Sequence, residues 1–99
     1  MKLFEVLDKT GRIIYLTSER WKHIVNFHPR LTKGVDDIIF TLQNPSIIKV
    51  SIHRANIVFY YSYYKNLNSK ARYLLVVVKH LNGKGFVLTS YYVDKVKEK

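Results

Sequence analysis

Residues 73–93 read YLLVVVKHLNGKGFVLTSYYV, and this stretch decides the fold. Two segments rich in β-branched and aromatic residues flank Asn82-Gly83, a dipeptide typical of two-residue hairpin turns. The stretch therefore predicts two adjacent antiparallel strands, over residues 71–80 and 86–93. Because the first strand is the most apolar segment of the chain, we expect it at the centre of a sheet.

Two further strands are predicted immediately before this hairpin, over residues 47–52 and 56–64. A polar loop at residues 65–70 joins them to it, and six residues are too few for the crossover that parallel pairing needs. The four strands should therefore form an antiparallel meander. The charged tail at residues 94–99 is expected to fray.

A short capped helix is predicted over residues 17–27. The Thr17 hydroxyl can accept a hydrogen bond from the free amides of the first turn, and Glu19 suits the positive end of the helix. Pro29 disfavours helical geometry at the preceding residue, so the helix should end near Phe27.

A second helix is predicted over residues 35–43, where an apolar stripe ends at Asn44-Pro45. Before the first helix, strands at residues 3–7 and 12–16 should form a hairpin. The resulting fold class is α+β, with an N-terminal β-hairpin and two helices packed on one side of the four-stranded antiparallel meander.

Length and composition exclude several classes of protein. The 99 residues predict a single domain over residues 1–99. The absence of cysteine excludes disulfides, thiolate metal sites and a cysteine nucleophile, and it fits a cytoplasmic protein. No apolar run approaches the roughly 18 residues of a transmembrane helix. The N-terminus lacks the apolar stretch of a signal peptide.

The net charge indicates a polyanionic partner. Seventeen Lys and Arg residues against seven Asp and Glu residues give a formal charge of +10. A basic surface concentrates nucleic acid and accelerates its encounter with the protein. The alternative is a basic surface that only keeps the protein soluble. Eight Tyr and five Phe residues favour nucleic acid further, since aromatic rings stack on unpaired bases.

Two histidines of the first helix are candidate acid–base groups. His23 borders the apolar stripe, where it could turn a ring nitrogen into a cleft or lie on the surface. His28 lies where the stripe meets the helix end, and is either a catalytic imidazole or a group that fixes the helix–loop junction. Their spacing of five is poor for binding one metal ion, so no metal site and no cofactor are expected.

Lys79 ends the most apolar strand, where its charge suits a phosphate; the alternative is a strand-end lysine that reaches solvent. A two-residue turn would set a register that pairs Val76 with Thr89. Lys79 would then share a face with Ser90 and Tyr92, and Thr89 would lie on the other face. Lys79 and Thr89 can line one site only if a bulge or a different turn shifts this register.

Further contacts to RNA are predicted from an arginine and a run of tyrosines. Arg54 lies in a turn, where it could clamp a phosphate or remain solvated. Tyr60, Tyr61, Tyr63 and Tyr64 populate both faces of one strand, so some of them must face outward. We take Tyr60 and Tyr61 as candidate stacking platforms for bases.

Several segments together carry a family resemblance. They are LTSERWKHI at residues 16–24, His28-Pro29, Asn44-Pro45, YLLVVVK at residues 73–79 and Thr89-Ser90-Tyr91. In these the chain resembles a family of small proteins, often borne by phages or mobile elements, in the Barnase–EndoU–colicin–RelE-like nuclease superfamily. The resemblance covers roughly residues 10–94. It implies N-terminal helices packed on a four-stranded antiparallel sheet.

The resemblance implies a metal-independent, toxin-like endoribonuclease, with RNA and a cognate inhibitor protein as partners. The implied site residues are His23, His28, Lys79, Thr89 or Ser90, and Tyr91. No Glu is expected in the sheet, so a general base like that of barnase should be absent. The alternative is a non-catalytic RNA- or protein-binding domain on the same fold, which needs only a positive face and exposed tyrosines.

The charge yields a first prediction. We expect single-stranded RNA to bind with an affinity that falls by orders of magnitude between about 50 and 200 mM salt, because binding releases counterions from the phosphates. Fluorescence anisotropy with a labelled oligonucleotide at several salt concentrations measures this dependence. Binding that is absent, or that ignores salt, contradicts the nucleic-acid interpretation.

Overall fold

A six-stranded mixed sheet is the framework of the computed structural model, which describes residues 1–32, 34–64 and 71–96. Its strands, in chain order, are β1 (Lys2–Leu7), β2 (Ile13–Thr17), β3 (Ile47–Val50), β4 (Ile57–Tyr63), β5 (Tyr73–Leu81) and β6 (Lys84–Val93). Between β2 and β3 lie α1 (Ser18–Phe27), a 3₁₀ turn (Pro29–Leu31) and α2 (Val35–Gln43). The strand order across the sheet is β1-β2-β6-β5-β4-β3.

The predicted α+β class and the antiparallel pairing of β3 to β6 are confirmed. The four-stranded sheet is wrong, because β2 pairs with β6 and brings β1 into the same sheet. The expectation of a sheet without Glu is wrong for the same reason, since Glu5 lies in β1 opposite Tyr15.

Some predictions fall partly or wholly outside the described residues. The polar loop at residues 65–70 and the last three residues of the charged tail, 97–99, are among them. Within the described part of the tail, Val96 packs against apolar side chains of the sheet. No helix in the described part of the chain is long and apolar enough to cross a membrane.

Capping and stop residues in the local sequence account for where each helix begins and ends. The Thr17 side chain accepts a hydrogen bond from the Arg20 amide at 3.1 Å, which caps α1 as predicted. The helix ends at Phe27, and Pro29 opens the 3₁₀ turn. In α2, an acidic first turn faces the positive helix end, and Asn44 follows the last residue.

The main core lies between the helices and one face of the sheet, here called the helix face. Its helical members are Ile24, Leu31, Ile38 and Leu42, all fully buried. A smaller apolar cluster lies on the opposite face, here called the second face. Its buried members are Phe59, Tyr61, Leu75 and Val77.

The parallel pairing of β2 with β6 depends on a glycine. Gly85 lies opposite Ile14 in β2 and opposite His80 in β5. A Cβ at Gly85 would lie 2.6 Å from the Lys79 carbonyl oxygen and 3.1 Å from the Ile14 side chain. The close approach of three strands therefore leaves no room for a side chain at this position.

The pairing of β2 with β6 is short, and beyond it no strand in the described part of the chain pairs with that edge of β6. β2 and β6 are paired over only three residues of each, and the last pair is Tyr15 with Phe86. α1 begins directly after β2, so beyond Phe86 the edge of β6 is flanked by α1 and the 3₁₀ turn instead of a strand.

A bulge in β6 shifts the predicted register. Val87 pairs with Val78, but Thr89 pairs with Val77, so Leu88 is an extra residue. The predicted pairing of Val76 with Thr89 is wrong, because the two-residue turn sets the register only as far as the bulge.

The bulge decides which side chains share a face. Beyond it, Thr89 and Tyr91 lie on the second face with Lys79, opposite Val77 and Leu75. The predicted companions of Lys79 lie on the helix face instead: Ser90 opposite Val76 and Tyr92 opposite Leu74.

Gly85 provides a test of the packing at this point. We expect Gly85→Ala to lower the free energy of unfolding by about 1–3 kcal/mol, because the new Cβ overlaps the Lys79 carbonyl. Urea unfolding measures the change, with Lys84→Ala as the control because Lys84 is exposed and adjacent. If the two variants are equally stable, β2 approaches β6 less closely than these distances indicate.

Candidate functional site

Three of the cavities in the described part of the molecule lie along α1 and the 3₁₀ turn, two of them against β6, and we call them together the groove. At the end nearest the β2 pairing, a cavity of about 230 Å³ is lined by Tyr15, Thr17, Arg20, Phe86 and Val87. The next cavity, of about 280 Å³, shares two of these residues and extends to Glu19 and His23. The two cavities therefore adjoin at Thr17 and Arg20, and we call them together the near end of the groove.

The far end of the groove lies at the 3₁₀ turn. A cavity of about 320 Å³ is lined there by residues 27–31 together with Tyr91 and Tyr92. The His28 ring stacks on the Tyr91 ring at 5.0 Å between centroids. The Arg30 guanidinium lies over the Tyr92 ring, 4.4 Å from its centroid. Planar aromatic and cationic groups of this kind suit a nucleotide.

One face of α1 supplies the helical wall of the near end. Arg20, His23 and Phe27 follow each other at three- and four-residue spacing, so they share this face. The His23 and Phe27 rings lie 4.8 Å apart, and both side chains are exposed. Lys22 lies about 100° further round the helix from His23, away from this face.

The sheet brings Lys79 to the same end. Tyr15 pairs with Phe86, and Phe86 pairs with Lys79, so the three lie in one row across the second face. The Tyr15 and Phe86 rings are 5.8 Å apart. Thr89 lies on the same face in the neighbouring row, opposite Val77. Both Lys79 and Thr89 are half-buried.

The implied site residues fall into separate groups. His23 lines the near end of the groove, and His28 and Tyr91 line its far end. Lys79 and Thr89 share the second face of the sheet but line none of these cavities. Ser90 is separated from them: it is fully buried on the helix face, where its hydroxyl donates to the Leu75 carbonyl at 2.8 Å.

The predicted RNA contacts of two tyrosines are wrong. Tyr60 and Tyr61 are 0% and 1% exposed, because β4 lies between β5 and β3 with apolar clusters on both faces. Neither ring can stack on a base. The exposed tyrosine of this strand is Tyr63.

Arg54 lies in an exposed turn between β3 and β4, as predicted. The turn leads into Ile57, which pairs with Lys79. Arg54 is therefore at the Lys79 end of the sheet, two strands away from the groove wall formed by β6.

A polar network on the helix face is not evident from the sequence. Asp8 is 5% exposed, and its carboxylate accepts a short hydrogen bond from the Tyr60 hydroxyl. The Tyr60 oxygen lies 2.8 Å from Nε2 of His80. The sequence identifies Asp8 only as a turn residue, and Tyr60 lies 52 positions away, so no local pattern could reveal the network.

Burial sets the protonation of this network. Burial, with the Asp8 carboxylate alongside, raises the pKa of Tyr60, so its hydroxyl stays protonated. Burial also lowers the pKa of His80, and the positive charge of Arg12 lowers it further, against the opposing effect of Asp8. His80 is therefore held neutral near pH 7.

Within the described residues, no group of three or more His, Asp or Glu side chains is placed to hold a metal ion. In comparisons with known proteins, the chain matches no family model, no curated protein and no solved structure.

The network yields a stability prediction. We expect Tyr60→Phe to lower the free energy of unfolding by about 1–3 kcal/mol, because the buried Asp8 carboxylate and His80 both lose a partner. Tyr61→Phe is the matched control: it is equally buried in the same strand, its hydroxyl makes no hydrogen bond among the described residues, and we expect a change within about 0.5 kcal/mol. Chemical denaturation measures both free energies of unfolding. Equal decreases in the two variants would contradict a stabilising role for the Tyr60 hydroxyl.

The lowered pKa of His80 also predicts a pH dependence. The unfolded chain takes up a proton near the ordinary pKa of 6.5, whereas the folded protein takes it up at lower pH. The contribution of neutral His80 to the free energy of unfolding should therefore be fully present above pH 6.5. It should decrease as the pH falls through the folded-state pKa of His80. Thermal melts of wild type and His80→Gln between about pH 7 and 5 test this, and the variant should lose less stability on acidification.

Proposed function

We propose that this protein is a metal-independent endoribonuclease whose active site is the groove along β6. The single observation that carries the proposal is the bulge at Leu88. It turns Thr89 and Tyr91 to the face of Lys79, where the Tyr91 ring stacks on His28 at the end of α1. The resemblance to the nuclease superfamily stays a prediction, and it points to the same residues.

The groove offers cations for a phosphate. Lys79 is half-buried in the row that contains Tyr15 and Phe86, and Arg20 lines the cavity against those two rings. In the proposal these basic side chains favour the extra negative charge of a pentacoordinate phosphate over the ground state. A partly dehydrated setting makes this stabilisation larger than in water.

The imidazoles supply proton transfer. In the proposed reaction, His23 removes the proton from a ribose 2′-hydroxyl, and that oxygen attacks the adjacent phosphorus. The bond to the 5′-oxygen breaks, and the leaving oxygen takes a proton from a second group, either a tyrosine hydroxyl or His28, which lines the neighbouring cavity against Tyr91. The products are a 2′,3′-cyclic phosphate and a 5′-hydroxyl. DNA lacks the nucleophile, so it should bind without being cut.

Aromatic rings along the groove suit a single strand. The Tyr15 and Phe86 rings lie at the near end, and Tyr91 and Tyr92 lie at the far end. Stacking on such rings contributes about 1–3 kcal/mol per base and requires unpaired bases. We therefore take single-stranded RNA as the substrate.

The central test is mutation of the proposed phosphate-binding lysine, Lys79, and of the proposed general base, His23. We expect Lys79→Ala to lower the rate of RNA cleavage by about 10²–10³-fold, through loss of charge stabilisation. His23→Ala should lower it by about 10²–10⁴-fold, through loss of proton transfer. Cleavage of a labelled RNA is measured in EDTA, with the ends of the products identified.

Lys22→Ala is the matched control, because it removes a charge from the same helix on the side away from the groove. All three variants should keep the wild-type melting transition, since Lys22 and His23 are exposed and Lys79 is half-buried at a strand end. Wild-type protein that binds RNA but leaves it intact in EDTA refutes the mechanism and favours the RNA-binding alternative. If all three variants lose the same fraction of the cleavage rate, the reaction takes place outside the proposed site.

A further inference from the structure

The outer edge of β3 is apolar and exposed. β3 is the last strand of the sheet, and no described strand pairs with its outer side. Ile48 and Val50 lie on the helix face, opposite Tyr60 and Val58. α2 packs on β4 and β5, and β3 lies beyond them in the sheet. The Ile48 and Val50 side chains are therefore 37% and 57% exposed, and Ile52, two residues further on, is 65% exposed.

The backbone of this edge is oriented for strand pairing. The Ser51 amide donates to the Ile57 carbonyl at 2.8 Å, so the peptide groups of Ser51 are directed toward β4. In an antiparallel ladder the peptide groups of successive residues point alternately to the two sides of the strand. Those of Ile48 and Val50 therefore point outward. A strand placed alongside β3 could form hydrogen bonds with both residues.

The opposite edge of the sheet is protected against such pairing. β1 carries Lys2 and Glu5, which form an ion pair at 2.8 Å, and its register shifts between Lys2 and Phe4. Charges and irregularities of this kind commonly prevent strands from pairing edge to edge. β3 keeps a regular register through its four residues, and its one charged residue is Lys49. A regular apolar edge without these features indicates a strand that takes a partner.

We propose that β3 is a dimerisation edge, at which a second copy of this chain adds its own β3 as the next antiparallel strand. Ile48, Val50 and Ile52 are apolar at every second position, so the stripe matches itself when the strand direction is reversed. A two-fold axis generates this contact and covers the edge in both copies at once. With one charged residue in positions 46–52, this edge lacks the positive charge that would suit nucleic acid.

The outward peptide groups select the register of the dimer. The two-fold axis must pass through a residue whose peptide groups point outward, which excludes Lys49 and the direct opposition of two like charges. An axis through Val50 places Val50 opposite its own copy and Ile48 opposite Ile52, so all three apolar positions are matched. Lys49 then lies opposite Ser51. We therefore centre the proposed dimer on Val50.

The dimer would leave the proposed active site open. β5 and β4 lie between β6 and β3, so the groove and the dimerisation edge belong to different parts of the sheet. Dimerisation is therefore independent of the ribonuclease proposal, and a variant that breaks the dimer should keep the RNA cleavage of wild type. Because each copy carries a net charge of +10, the copies repel each other, and screening by salt should strengthen the dimer. RNA binding should show the opposite dependence on salt.

Sedimentation of the nuclease-treated protein measures the association. We expect the mass to rise from 11.7 kDa toward twice that value as the protein concentration increases, and the association to strengthen with salt. Val50→Lys should remain monomeric, because it places like charges opposite each other at the axis. Leu7→Lys is the matched control: Leu7 is 60% exposed on the other edge strand, and this variant should dimerise like wild type.

A cysteine cross-link tests the register. The chain has no cysteine, so Val50→Cys introduces a single thiol, and the two thiols of a dimer meet at the axis. Opposed residues of a hydrogen-bonded pair lie about 5.5 Å apart at Cα, within the range that a disulfide bridges. Mild oxidation should convert Val50→Cys to a covalent dimer and leave Leu7→Cys mostly monomeric.

Three results would overturn the proposal. The first is a wild-type protein that stays monomeric at every concentration. The second is an association that weakens with salt, which is the behaviour of copies bridged by nucleic acid. The third is equal cross-linking of Val50→Cys and Leu7→Cys, which indicates random collision of exposed thiols.

Discussion

The short parallel contact between β2 and β6 is the constraint on which the rest of the molecule depends. It joins the N-terminal hairpin to the meander, and only a glycine at position 85 allows the three strands to approach closely enough. Because the contact stops at Tyr15 and Phe86, the chain turns from β2 directly into α1. The helix then runs beside an unpaired stretch of β6, and the groove is the space between them.

The bulge in β6 decides which side chains share the face of Lys79. Alternation along a regular strand would turn Thr89 to the helix face and Ser90 to the face of Lys79. One extra residue, Leu88, reverses both. Thr89 and Tyr91 then lie on the second face with Lys79, while Ser90 is buried against the carbonyl of Leu75. A local irregularity thus selects which hydroxyl shares the face of Lys79, a choice that the sequence alone leaves open.

The network of Asp8, Tyr60 and His80 shows a different use of buried polar groups. Asp8 is a turn residue whose carboxylate lies in the core, where a buried charge requires a full set of donors. Its backbone and side-chain partners supply them, and the network therefore orients Tyr60 and, through it, His80. The same contacts fasten the first hairpin to the sheet and hold the His80 ring against the Tyr60 hydroxyl.

Local signals determined the elements of this protein. Capping by Thr17, the stop at Pro29, the apolar stripe of α2 and the Asn82-Gly83 turn predicted two helices, the hairpins and the antiparallel meander, because each depends on residues a few positions apart. The pairing of β2 with β6, the bulge at Leu88, the burial of Tyr60 and Tyr61 and the bond from Tyr60 to Asp8 depend on residues far apart in the chain. Such contacts are set by how the packed layers meet, so only the tertiary structure decided them.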